Sequence, residues 1–75
     1  MNNKRRKQLD NAKKYINLAI EIIEDVMDEE DFAFNNLSEG LQQTMRGEQM
    51  EENVSEMEEC LESLNEIIEN LDNID

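Results

Sequence analysis

MEENVSEMEECLESLNEIIENL, residues 50–71, decides the fold. Its apolar positions Met50, Val54, Met57, Leu61, Leu64, Ile68 and Leu71 advance by fours and threes, the spacing that lines one face of an α-helix. Cys60, Ile67 and Ile74 form a seven-residue row beside that face, so the stripe is broader than a two-position seam. The intervening positions are mostly Glu, Asn and Ser, as expected of the solvated side of an amphipathic helix.

Upstream, Asn35-Asn36-Leu37-Ser38-Glu39-Gly40-Leu41 and then Gln42 to Gly47 hold both glycines and the Asn pair. That composition predicts a change of direction. Ser38 is placed to cap a short helical turn that tucks Leu37 and Leu41 over the end of the molecule, because a connection of this length usually carries local structure. Earlier still, Leu9, Ala12, Ile16, Ala19, Ile20, Ile23, Val26, Met27 and Phe34 again share one helical face, widened by Tyr15 and Ile22. Asn2 or Asn3 caps the start of that helix. From Lys4 to Phe34 it would be roughly 45 Å long, too long for a compact monomer.

The chain is therefore expected to be all-α, one domain over residues 1–75: a helix at about 4–34, an ordered elbow at about 35–47 and a helix at about 48–73. The two helices form an antiparallel hairpin that self-associates into a helical bundle. A core of Ile16, Ile20, Ile23, Met57, Leu61, Leu64 and Ile68 is marginal for 75 residues, and a single cysteine closes no internal disulfide. A homodimer, giving a four-helix bundle, is the first expectation; the seven-residue rows also permit a coiled coil or a higher oligomer.

Composition excludes much chemistry. The chain has no His, no Trp, no Pro and one Cys, with 20 Asp plus Glu against 7 Lys plus Arg for a net charge of −13. Without His there is no Glu-x-x-His pair for di-iron chemistry and no partner to activate Cys60, which is read as a packed thiol. Asp28-Glu29-Glu30-Asp31 lacks the alternating ligands and central Gly of an EF-hand loop. The expectation is a non-enzyme with no metal and no cofactor. No apolar run reaches the roughly 18 residues of a membrane span, and the basic start leads into no signal-peptide core. With one unpaired Cys this points to the cytoplasm.

Charge is segregated. Residues 1–14 hold six Lys or Arg against Asp10, a balance of +5, and the remainder holds Arg46 against nineteen acids, −18. The plain reading of Lys4, Arg5, Arg6 and Lys7 is that they pair with the acidic end of the second helix, Glu66, Glu69, Asp72 and Asp75, offsetting charges unfavourable to both helix dipoles. The functional alternative is an anion site that shelters a small phosphorylated nucleotide between subunits. Direct binding of duplex DNA is not expected, given the opposing charge and scarce aromatics.

Around the elbow nine acids between Asp25 and Glu52 face only Arg46. They solubilise the surface in the plain reading; in the sharper one they dock onto a basic nucleic-acid-binding groove, carboxylates imitating rows of phosphates. Asp28, Glu29, Asp31, Phe32, Phe34, Leu37, Leu41 and Arg46 combine charge with apolar anchors, a mixture that suits a protein interface.

The run from Asp28 to Leu37, followed by Leu41-Gln42 and Arg46-Gly47-Glu48, resembles a family of small acidic helical hypothetical proteins of bacteriophages and prophages of Gram-positive bacteria. The resemblance extends to the basic start and the Leu/Ile-repeating acidic helix, and its specific part is the elbow. No activity is assigned to that family. The resemblance implies a bacterial host cell and a small protein acting stoichiometrically on a host factor, such as a CRISPR or other anti-phage defence protein. A sponge for a cyclic-nucleotide immune signal and a structural or scaffolding bundle are the alternatives.

Overall fold

The computed structural model describes residues 1–74. It is a helical hairpin: α1 (Asn3–Asn35), α2 (Glu39–Gln42) and α3 (Met45–Asp72), with α1 packed along α3 and α2 folded onto the start of α3. The sequence expectation of two long antiparallel helices joined by an ordered elbow is met. The long axis is 58 Å and the radius of gyration 17.2 Å, against about 11 Å for a compact domain of this length.

Each helix starts where a side chain can satisfy its free backbone donors. The Arg5 N–H donates to Asn2 Oδ1 at 2.8 Å, the Leu41 N–H to Ser38 Oγ at 3.4 Å and the Gly47 N–H to Thr44 Oγ1 at 3.4 Å. The short turn capped by Ser38 is thus as expected, but Leu41 is half exposed rather than tucked, whereas Leu37 is partly covered. The second helix begins at Met45, not near residue 48, so Arg46 and Gly47 belong to its first turn. Gly47 is buried because α2 crosses directly above it. A Cβ at that position would lie 2.6 Å from the Gln42 carbonyl carbon and 2.8 Å from its Cα. A glycine that reads as a breaker is in fact a spacer that lets two backbone segments touch.

The core between α1 and α3 is thin. Ile20, Met50 and Leu61 are buried, while Ile16, Ile23, Met57, Leu64 and Ile68 are partly covered along the same seam. Cys60, expected in the packed face, is exposed. It sits one residue before Leu61 and is therefore turned about 100° away from the seam.

Candidate functional site

Gln42 ties the elbow back to α1. Gln42 Nε2 donates to the backbone carbonyls of Phe34 and Leu37, both at 3.2 Å, closing the C-terminal end of α1 where carbonyls lack helical partners. Thr44 Oγ1 donates to the Leu41 carbonyl. These contacts join the last turn of α1 to the first turn of α3 and bring acids from both helices together.

Between those two turns lies an open cleft of about 910 Å³, lined by Asp31, Phe34, Asn35, Met45, Glu48, Gln49, Glu51, Glu52, Val54 and Ser55. Phe34 and Val54 form an apolar floor, and four carboxylates rim it. Met45 stands at the edge, 87% exposed. The cleft suits an extended basic or amphipathic segment: apolar contact on the floor, cationic side chains on the rim.

Of the elbow residues predicted from sequence, Asp31 and Phe34 meet in this cleft. Phe32 is 71% exposed, and it, Asp28 and Glu29 lie on the outer surface of α1 beyond the cleft lining. Leu37 and Leu41 belong to the elbow tip, and Arg46 is exposed on the first turn of α3. Glu48, Glu51 and Glu52 belong to the acidic pole evident in the sequence, where nothing singles them out from the other acids. Met45 and Val54 carry no sequence signal as site residues; the place of Met45 follows from the early start of α3. Beside the cleft, Asn53 Nδ2 donates to Glu30 Oε2 at 2.9 Å and Gln49 Nε2 to Asn53 Oδ1 at 2.9 Å, so a polar link crosses between the long helices at partly covered Glu30.

The basic start is arranged differently. Lys4, Arg5, Arg6 and Lys7 are consecutive helical residues, each turned about 100° from the last, so they fan around the helix. A shallow groove there is lined by Met1, Arg6, Leu9, Asp10, Lys13 and Ile74, and does not include Lys4, Arg5 or Lys7. Lys13 Nζ lies 3.0 Å from an Asp72 carboxylate oxygen and 3.8 Å from Asp10, which joins the start of α1 to the end of α3. Asp75 lies outside the described residues.

Among the described residues no group of His, Cys, Asp and Glu is arranged to hold a metal ion, and no helix is long and apolar enough to cross a membrane. Compared with known proteins, the chain matches no family model, no curated protein and no solved structure.

Proposed function

We propose that this protein is a stoichiometric inhibitor made by a phage or prophage, which in self-associated form binds a basic, nucleic-acid-acting defence protein of its bacterial host through the acid-rimmed cleft at the elbow. The observation that carries the reading is the cleft itself: exposed Asp31, Glu48, Glu51 and Glu52 line it together with the partly covered Phe34 and Val54, so charge and an apolar anchor point occur in one depression. Complementary charge speeds encounter and rejects wrong partners, and the apolar floor supplies contact that outlasts salt. The phage context comes from the sequence resemblance at the elbow and its flanks.

The inhibitor would occupy the partner's nucleic-acid groove without chemistry of its own. Carboxylates at helical spacing stand in for phosphates, and the exposed Phe32 and Met45 extend the contact beyond the rim. The first test is phage challenge of bacteria carrying individual nucleic-acid-acting defence systems, with and without this protein. Expression is expected to restore plaque formation against at least one system. An Asp31→Lys, Glu51→Lys, Glu52→Lys variant is expected to lose that effect while its far-ultraviolet circular dichroism stays helical. A wild-type protein that relieves none of the systems, or a helical variant as active as wild type, overturns the proposal.

A further inference from the structure

The two sides of the hairpin differ. On one, the seam is bridged by Lys13 and Asp72. On the other, Ile23 of α1 and Glu56, Glu59, Cys60, Ser63 and Leu64 of α3 line a shallow groove; Ile23, Cys60 and Leu64 are its apolar members, and apolar surface continues outward from them. Tyr15, Ile22 and Val26 follow along α1, with Tyr15 turned about 200° from Lys13. Cys60, Ile67 and Ile74 follow along α3 at seven-residue steps. All six are exposed, Tyr15 at 69% and Ile22 at 55%. Both helices thus offer apolar rows to the same side.

Area says how large a partner they can take. The chain exposes 5993 Å² at 8.8 kDa, whereas a folded monomer of that mass exposes about 4,800 Å². The surplus, about 1,200 Å², exceeds the roughly 800 Å² that each partner contributes to a standard interface. A second copy supplies a matching face, and a twofold axis closes the assembly at two chains.

Charge then selects the arrangement. Residues 25–52, at the elbow end, carry −8; at the other end, among the described residues, 1–14 with Glu66, Glu69 and Asp72 carry +2. The ends are several Debye lengths apart in a 58 Å rod, so each responds to what lies beside it. Hairpins packed with elbows together would place −8 against −8. Packed head to tail, each acidic elbow lies beside its partner's basic start.

We infer that two copies pair through the Tyr15–Ile22–Val26 and Cys60–Ile67–Ile74 rows into a head-to-tail four-helix bundle, with the basic start of each chain alongside the acidic elbow of the other. The elbow cleft stays open, because Val54 in its floor and Cys60 in the interface, six residues apart, are turned about 120° from each other around α3. This inference deepens the self-association in the reading above and does not depend on the identity of a host target.

Sedimentation equilibrium of the full chain measures the mass, and a nitroxide on Gln43→Cys in a Cys60→Ser background measures the elbow-to-elbow distance by pulsed electron resonance. Head-to-tail pairing predicts a dimer with labels roughly 50 Å apart, from 1.5 Å per residue over both halves of the rod. Elbows side by side would give about 10–20 Å, one or two helix spacings. An Ile22→Ser, Ile67→Ser variant, altered at side chains that the lone hairpin leaves exposed, is expected to raise the dimer dissociation constant at least 100-fold.

A monomer at micromolar concentration, with the face left for a foreign helix, overturns self-association itself. A trimer or larger species, a short label distance, or a variant that dimerises like wild type overturns the proposed pairing. Each of these leaves the phage-challenge result to be judged separately.

Discussion

Replacing Gly47 by Ala is expected to destabilise the protein, against the usual rule. In an ordinary helix interior Gly→Ala gains up to about 1 kcal/mol, because alanine has less backbone freedom to lose. At Gly47 the added methyl would stand 2.6 Å from the Gln42 carbonyl carbon, and ordinary contact begins at 3.4 Å. The Gln42 carbonyl oxygen is closer still, so the α2 backbone must retreat by more than about 0.8 Å, the difference between those distances. That movement displaces the residue whose side chain closes the end of α1 at Phe34 and Leu37. Overpacking against a well-placed neighbour costs about 1–3 kcal/mol, and weakening one of the two Gln42 bonds adds about 1 kcal/mol. Set against the helix-propensity gain, the net loss is about 1–3 kcal/mol. Gly40 provides the control, since a Cβ there meets nothing within 4 Å; Gly40→Ala is expected to be neutral or stabilising by up to about 1 kcal/mol. Urea titration followed by circular dichroism at 222 nm, with all proteins at one chain concentration, gives both numbers. A Gly47→Ala protein at least as stable as wild type would refute the close-approach argument.

Other substitutions test the remaining contacts. Gln42→Ala is expected to cost about 1–2 kcal/mol in the same titration, for two bonds to partly covered carbonyls. Thr44→Ala removes the cap of α3 and is expected to cost about 1 kcal/mol, with Thr44→Ser recovering most of it. Leu61→Ala removes one of the few buried side chains and is expected to cost about 2–4 kcal/mol. Lys13→Ala is expected to change stability by no more than about 0.5 kcal/mol, because Asp72 remains largely in water. Thiol titration of Cys60 should slow as chain concentration rises, since the proposed pairing covers it; a rate that is independent of concentration would count against that face.

The two long helices are legible because their apolar positions repeat at threes and fours over many turns, and the seam residues Ile20 and Leu61 lie where those repeats put them. The start of α3 is less legible. Gly47 carries the same letter whether it breaks a helix or leaves room for a crossing backbone, and only the position of Gln42 separates the two. The exposure of Cys60 is illegible for a related reason: the apolar stripe is wider than one neighbouring helix can cover, and sequence does not say which edge is left outside. The acidic pole is visible in composition. Its division into a cleft around Asp31, Phe34 and Val54 and an outer surface bearing Phe32 and Asp28 depends on how α1 and α3 are rotated against each other. For the basic start, four adjacent letters suggest a patch, and helical geometry spreads them around the axis.

The elbow tie has a consequence for how such proteins change length in evolution. Gln42, Thr44 and the space at Gly47 set the angular phase of α3 relative to α1. Adding one residue to either long helix would rotate everything beyond it by about 100° and turn the seam toward water. Seven residues added to one arm nearly restore the phase, and they find a partner only if the other arm gains seven as well. Longer and shorter homologues that keep this elbow should therefore differ by paired blocks, one in each arm. Tolerated insertions of other sizes should fall outside the stretches where α1 and α3 pack on each other, because there they leave the bearing of the seam unchanged.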